Sequence, residues 1–178
     1  AGNYKLSNTW LFTAYAPGVV HNVTLQGDGI QCTTLNFNTA PAGSDGVSFT
    51  GQGAQMAVKG FTIDGAKRNG LRIVTCNQWE VADLRIQNSV QSGFWTRDSW
   101  MGSIERVWCT TNLGDGFHFD GLHTSINMYR CYSSFNTEAG FLINGMTYSS
   151  LNACGSDENN QAYVLSNSRA VTFLGCGA

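Results

Sequence analysis

The sequence is poor in charge and in proline. Only 12% of its 178 residues are charged, only 2 are proline, and the formal net charge is −2. Disordered chains combine high charge with little apolar content, so this composition excludes ordinary disorder. A nearly neutral chain also argues against an unaided nucleic-acid surface, and we expect no nucleic-acid partner.

Long apolar runs are missing as well. No stretch of about 18 apolar residues occurs, so we expect no insertion into a membrane. No charged-then-apolar leader is visible and the first residue is not methionine, which leads us to expect a processed or cut chain. With 178 residues, the chain is long enough for one domain with its own core.

Glycine, in contrast, is abundant, with 21 residues, and it opens a short recurring phrase. The phrase reads glycine, inward, outward, inward, as in Gly116-Phe117-His118-Phe119, and this alternation indicates a strand with one buried face. Copies begin at Gly46, Gly70, Gly93, Gly116 and Gly140, with a weaker sixth copy at Ala162. Steps of 22 to 24 residues predict a solenoid.

A second strand precedes each glycine phrase, as at 81–86 and 104–109. No run of residues follows a period of 3.6, which excludes helical repeats. We therefore predict one all-β domain over residues 1–178, a right-handed single-stranded parallel β-helix with less regular coils over 1–45 and regular rungs over 46–176. Neither end carries a polar cap, so we expect a fragment that is open at both ends, with capping by something outside this sequence as the alternative.

The six cysteines follow the same repeat. The last four lie 22 or 23 residues apart, and they predict one buried column that reads Ile63, Ile86, Cys109, Cys131, Cys154 and Cys176. Parallel Cβ vectors on stacked strands suit a disulfide poorly, and aligned sulfurs do not converge on a tetrahedral metal site. We expect free, structural thiols and no metal bound to them.

Asparagines recur in the turns. The four that step by 24 residues predict a stacked ladder, with simple turn preference as the alternative: Asn88, Asn112, Asn136 and Asn160. The acidic loop Asp157-Glu158-Asn159-Asn160 predicts a solvated turn, with calcium as the minor alternative. No other cofactor is expected.

Three features resemble a known family. The chain opens on Ala1-Gly2-Asn3-Tyr4, continues with Val23-Thr24-Leu25-Gln26-Gly27-Asp28-Gly29 and Thr33-Thr34-Leu35-Asn36-Phe37, and then enters the regular rungs. These stretches resemble the pectate-lyase superfamily, in the form found in tailspike proteins of tailed bacteriophages. The resemblance implies a polysaccharide depolymerase: a homotrimer on the virion tail or outside the cell that recognises bacterial capsule or O-antigen. Lyases, hydrolases, epimerases and inert adhesins share this scaffold, and no catalytic motif carries over residue by residue.

Outward side chains of successive glycine phrases should stack about 4.8 Å apart into one patch. We predict a sugar site formed by Arg72, Trp95, Arg97, His118, Asp120 and Asn144. Trp95 offers a flat apolar platform, Arg97 suits a sugar carboxylate, and His118 with Asp120 is suited to proton transfer. The alternative is a set of ordinary surface ion pairs. The second strands give another stripe, with Arg85, Arg106, Trp108 and Arg130, that fits a subunit interface or an anionic glycan.

Three functions remain open. Glycoside hydrolysis needs two carboxylates, and Asp98 and Asp120 are our first choice, with Glu105 and Glu138 as further candidates. A polysaccharide lyase would use His118 with Arg97 or Arg72, and a binding-only β-helix would use no catalyst. Asp115 is predicted to be a turn residue. His21 and His123 are predicted to lie in loops without partners.

Overall fold

The computed structural model describes residues 2–13, 22–51 and 55–178, and these ranges contain strands and no helix. Ala1 and His21, which entered the sequence predictions, lie outside the described residues. The strands are β1 (Gly2–Lys5), β2 (Trp10–Thr13), β3 (Val23–Gln26), β4 (Thr33–Asn36), β5 (Val47–Thr50), β6 (Met56–Asp64), β7 (Leu71–Val74), β8 (Asn77–Gln87), β9 (Phe94–Arg97), β10 (Trp100–Thr110), β11 (Phe117–Asp120), β12 (His123–Thr124), β13 (Asn127–Tyr129), β14 (Tyr132–Ser134), β15 (Ala139–Asn144), β16 (Met146–Asn152), β17 (Gly155–Asp157), β18 (Gln161–Ser166) and β19 (Arg169–Leu174).

These strands form two parallel sheets. The seven-stranded glycine sheet holds the glycine phrases in the order β18-β15-β11-β9-β7-β5-β2. The twelve-stranded long-strand sheet holds the second strands, and its main path is β1-β4-β6-β8-β10-β12-β16-β13. Strands one coil apart in sequence are neighbours in each sheet, which confirms the predicted all-β parallel solenoid. The pairing of β2 with β5 places one more strand in the glycine sheet, ahead of the first predicted phrase.

The core is a stack of inward side chains from successive coils. The rings of Phe117 and Phe141 are stacked, with centroids 4.8 Å apart, and the ring of Tyr163 continues the stack 4.9 Å further on. Phe12 and Phe49 stack in the same way at 4.6 Å near the start of the chain. Because each fully buried phenylalanine stabilises the fold by about 2–3 kcal/mol, such stacks account for much of the cohesion between coils.

Each coil turns at corners that carry one residue with a positive φ. One corner column runs through the long strands and consists of Gly60, Asp83, Arg106, Arg130, Ala153 and Gly175. A left-handed conformation costs a residue other than glycine about 1–2 kcal/mol. Hydrogen bonds between coils offset this cost: the Arg130 N–H, for example, donates to the Asn152 carbonyl at 3.0 Å.

The cysteine column differs from the prediction. No disulfide joins cysteines of the described residues, and Cys76, Cys109, Cys131 and Cys154 are buried as expected, whereas Cys32 is exposed and Cys176 is partly exposed. However, Cys109 pairs with Ser133, whereas Tyr132 pairs with Gly155, which brings Cys131 beside Cys154. The predicted stacking of Cys131 on Cys109 is therefore wrong, because the residue beside Cys109 is Ser133, two positions after Cys131. Burial raises the pKa of the Cys109 and Cys131 thiols, so both are held in the protonated form.

The asparagine ladder exists, with a shifted membership. Asn136 Oδ1 accepts from the backbone N–H and the amide of Asn112 at 3.0 and 2.8 Å, and the Asn136 amide donates to Asn159 Oδ1 at 2.9 Å. Asn159 thus replaces the predicted Asn160. Asn88 is also outside the ladder, since it occupies the neighbouring corner and donates to Asp64.

Candidate functional site

A cleft of about 270 Å³ opens at the edge of the glycine sheet where strands β9 and β11 start. Strands β9 and β11 supply Trp95 and His118, and the turns before them supply the rest of the wall. We call this the His118 cleft, and its polar and aromatic lining includes Gln91, Ser92, Trp95, Asp115, His118 and Glu138. The cleft exists because a corner precedes each glycine phrase, so turn side chains stand beside outward strand side chains.

His118 is held by a buried carboxylate. Its Nδ1 lies 2.9 Å from Asp115 Oδ2, and the Ser92 hydroxyl lies 3.5 Å from the same nitrogen. Asp115 is buried, and its other oxygen accepts the Ala139 N–H at 2.9 Å, which fixes the carboxylate. With Nδ1 engaged, Nε2 has no partner within the described ranges. A carboxylate that orients an imidazole in this way prepares the other nitrogen to take a proton.

Trp95 stands between Arg72 and His118. Register pairs Arg72 with Trp95 and Trp95 with His118, so the three side chains follow one another on successive coils, as predicted. The Arg72 guanidinium lies 5.3 Å from the centre of the Trp95 ring, and the His118 ring meets that ring edge-on at 6.3 Å. Arg72 also contacts Ser48, Thr50 and Asp45. A cation, an aromatic surface and an oriented imidazole therefore share one column.

A second group of predicted residues meets around Arg97. Its Nε lies 3.6 Å from Asp98 Oδ2 and 3.9 Å from Asp120 Oδ2, while the Asn144 amide donates to Asp120 at 3.4 Å. Asp98 also accepts the Leu122 N–H at 2.8 Å. The predicted juxtaposition of Asp98, Asp120 and Arg97 is confirmed. Both carboxylates share one guanidinium, so this group also has a purely structural explanation as an ion-pair cluster, and its catalytic role stays a prediction.

Two predicted site residues lie elsewhere. Glu105 and Trp108 belong to β10 in the long-strand sheet, whereas the other predicted site residues lie on strands and corners of the glycine sheet. Glu105 forms an ion pair with Arg106, which also binds Asp83 at 2.6 Å. The hydrogen bond from Arg106 lowers the pKa of Asp83. We therefore leave Glu105 and Trp108 out of the His118 cleft.

Sequence reasoning missed two partners. The sequence predicts only a turn role for Asp115, whereas its carboxylate also holds His118. The signal was its position directly before the glycine of a phrase, which it shares with Asp45, another buried aspartate. The prediction that His123 lies in a loop without partners is wrong, because His123 lies in β12, is 2% exposed, and has Nε2 3.1 Å from the Asp120 carbonyl oxygen. Burial lowers the pKa of His123.

Within 2–13, 22–51 and 55–178, no group of three histidine, cysteine, aspartate or glutamate side chains could hold a metal ion. In the acidic loop, Asp157 accepts a hydrogen bond from the Tyr132 hydroxyl at 3.2 Å, and Asn159 belongs to the ladder. Among the same residues, no helix is long and apolar enough to cross a membrane. Calcium in this loop stays a prediction.

Comparison with known proteins identifies the fold. No family model and no curated protein sequence matches the chain significantly. Among solved structures, pectate lyase Pel9A matches with a TM-score of 0.62 at 13% identity, over 92% of this chain and 47% of that one. A rhamnogalacturonan lyase matches with a TM-score of 0.60 at 17% identity, over 98% of this chain and 53% of that one.

A phage protein, ORF18 of Geobacillus virus E2, matches with a TM-score of 0.54 at 12% identity, over 99% of this chain and 52% of that one. The chain thus spans about half the length of these structures. The matches show the fold: the chain is a parallel β-helix like these structures, as the sequence resemblance implied.

Proposed function

We propose that this β-helix acts on an acidic polysaccharide by β-elimination in the His118 cleft. The observation that carries the proposal is the His118–Asp115 pair, which engages Nδ1 and leaves Nε2 without a hydrogen-bond partner among the described residues, beside an aromatic platform. Structures of the same fold include a pectate lyase and a rhamnogalacturonan lyase, which supports polysaccharide as the substrate class. Because the chain spans only half of each, the activity of the whole protein is part of the proposal.

The chemistry follows from the column of three side chains. A uronate sugar would lie against Trp95, with its carboxylate toward Arg72 and its C5–H toward His118 Nε2. Nε2 takes the C5 proton, the electron pair forms the C4=C5 double bond, and the bond from C4 to the departing oxygen breaks. The departing oxygen takes a proton from water. A cation near the uronate carboxylate stabilises the negative charge that develops there.

The test is cleavage of polyuronates by the wild type and by His118→Gln. We expect the wild type to generate the ultraviolet absorbance of an unsaturated uronate and His118→Gln to lose it by at least a hundredfold. Asp115→Asn should retain binding and lose rate, because the imidazole would lose the partner that orients it. Full cleavage by His118→Gln would overturn the assignment.

Glycoside hydrolysis is the second candidate, because Asp98 and Asp120 do meet around Arg97. Hydrolysis would release reducing ends without the absorbance of a double bond. Asp120→Asn would then abolish the release of reducing ends, while His118→Gln would leave it intact. Glycan binding with neither product would indicate a binding-only β-helix.

We further propose a bacteriophage tailspike-like setting, with bacterial capsule or O-antigen as the target and a homotrimer as the assembly. The similarity to a phage protein supports this setting. It also agrees with a virion tail or extracellular location. Light scattering during gel filtration would test the assembly, and a monomer would contradict the trimer.

A further inference from the structure

A second surface lies on the long-strand sheet, away from the His118 cleft. Register places Arg85, Trp108 and Tyr132 on three successive coils. The Arg85 guanidinium lies 4.6 Å from the centre of the Trp108 ring, and the Tyr132 ring meets Trp108 edge-on at 6.4 Å. The prediction that Arg130 belongs to this column is wrong, because Trp108 pairs with Tyr132. Arg130 occupies the adjacent corner and lies over Tyr129 at 4.9 Å.

A shallow groove of about 330 Å³ is lined by Arg106, Val107, Trp108, Arg130 and Tyr132, and we call it the Trp108 groove. Arg85 is not part of this lining but adjoins it through its contact with the Trp108 ring. Trp108 is half-buried, and its indole N–H donates to the Ser134 hydroxyl at 2.9 Å, so the ring is fixed in place. Tyr132 is 40% exposed and widens the aromatic surface. Fixed aromatic rings at a surface provide contact area at a low cost in entropy.

The cations of the groove differ in their partners. Arg106 is neutralised by Asp83 and Glu105. Within the described part of the chain, neither Arg85 nor Arg130 has a carboxylate within ion-pair distance. Arg85 and Arg130 lie two coils apart, with Trp108 on the coil between them. The groove therefore offers unpaired positive charge on either side of an aromatic centre, in a chain whose net charge is −2.

We propose that the Trp108 groove is a second, non-catalytic binding site for an acidic polysaccharide strand that runs along the stack of coils. Coils rise by about 4.8 Å, close to the length of one sugar unit, so successive sugars can meet successive coils. Sugar faces suit Trp108 and Tyr132, and sugar carboxylates suit Arg85 and Arg130. A second copy of this chain fits less well, because a self-contact at this groove brings unpaired arginines together.

The experiment follows the indole N–H signals of the protein by nuclear magnetic resonance during titration with hexagalacturonate. Trp108 reports on the groove and Trp95 on the His118 cleft, so the two sites are read separately. Trp108→Phe and Trp95→Phe assign the two signals. The same titration with the methyl-esterified hexamer removes the negative charge from the probe and keeps its rings. Measurement in His118→Gln prevents consumption of the probe and separates this proposal from the proposed lyase activity.

We expect the Trp108 signal to shift saturably with hexagalacturonate and not with its methyl ester. Arg130→Gln should weaken this binding about tenfold, because one charge-assisted contact is lost. The matched control is Arg169→Gln, since Arg169 also lies over a tyrosine, at 5.9 Å from the Tyr148 ring, but outside the groove. It should leave the affinity unchanged.

Three results would overturn the proposal. The first is a Trp108 signal that does not respond to hexagalacturonate. The second is an equal response to the methyl ester, or an equal loss of affinity in Arg130→Gln and Arg169→Gln. The third is a Trp108 signal that moves with protein concentration alone, which would assign the groove to contacts between copies of the chain.

Discussion

The asparagine ladder allows the sharpest test of what holds the coils together. Asn136 is 3% exposed, and its side chain bridges three coils. Its oxygen accepts from the backbone and side-chain nitrogens of Asn112, and its amide donates to Asn159 Oδ1, Ser133 Oγ and the Cys109 carbonyl. Asn136→Ala would remove all five bonds at once.

The expected loss of stability in Asn136→Ala follows from the hydrogen-bonding groups that lose Asn136 as their partner. Asn159 Oδ1 keeps the Asn136 backbone N–H at 2.9 Å, so it is not orphaned. The Asn112 N–H and the Cys109 carbonyl lose a bond in a buried setting, at about 1–3 kcal/mol each. We therefore expect Asn136→Ala to lower the free energy of unfolding by about 4 kcal/mol.

Urea denaturation followed by tryptophan fluorescence measures this change. With a slope of about 2 kcal/mol per molar urea, the midpoint should fall by about 2 M. Asn160→Ala is the matched control, because Asn160 is exposed and stands one residue outside the ladder. Equal midpoints for the two variants would refute the view that the ladder stabilises the stack.

Three further predictions concern other parts of the fold. Burial lowers the pKa of His123, so the unfolded chain binds its proton first. The free energy of unfolding should therefore fall as the pH drops below about 6.5, and less steeply in His123→Phe. Gly145→Ala should cost clearly more than Gly43→Ala: both have positive φ, but a Cβ at Gly145 would lie 1.9 Å from a backbone oxygen, whereas nothing is near Gly43. In the native state, a thiol reagent should modify only Cys32 and Cys176 quickly, and all six cysteines after unfolding.

Each of these has a clear contrary result. A pH profile unchanged by His123→Phe would mean that the buried ring contributes nothing to acid sensitivity. Similar losses for the two glycine variants would attribute both to φ alone, with no clash between coils. Rapid modification of four or more native thiols would show that the inner cysteines are accessible.

The glycine phrase predicted the glycine sheet in detail. Its alternation and spacing placed Arg72, Trp95 and His118 on successive coils, and the register confirms this. The reason is physical: a strand with one buried face and a short fixed phrase admits only one register. Two columns of the predicted sugar patch follow from that constraint: one holds Arg72, Trp95 and His118, and the other holds Arg97 and Asp120.

The cysteine column could not be placed in the same way. Cys109 and Val107 both point inward, since they are two residues apart on one strand. A slip of two residues keeps every apolar side chain inside, so the hydrophobic pattern cannot detect it. The register is set by the corner residues Arg106 and Arg130, which lie in one column. Cys109 is three residues after its corner residue, whereas Cys131 directly follows its own. Regular cysteine spacing was therefore a misleading guide to register.

The His118–Asp115 contact was also beyond the pattern. It joins a strand side chain to a turn side chain three residues earlier, and it depends on how tightly the chain bends before Gly116. Aspartate before glycine is common in turns for reasons of local hydrogen bonding, so the sequence favoured that explanation. The structure shows the contact directly, because Asp115 is buried and its Oδ2 lies 2.9 Å from His118 Nδ1.

The corner columns have a consequence for engineering. Left-handed corners are occupied by side chains as different as Arg130, Phe135 and Tyr148, so the bend is imposed by the neighbouring coils and not by residue type. Strand pairing is interrupted there, so an insertion would mainly disturb the bond that the corner N–H makes to the next coil, as from Phe135 to the Asp157 carbonyl. Loops of foreign sequence grafted at corners beside the glycine sheet should reshape the walls of the cleft while the scaffold stays intact.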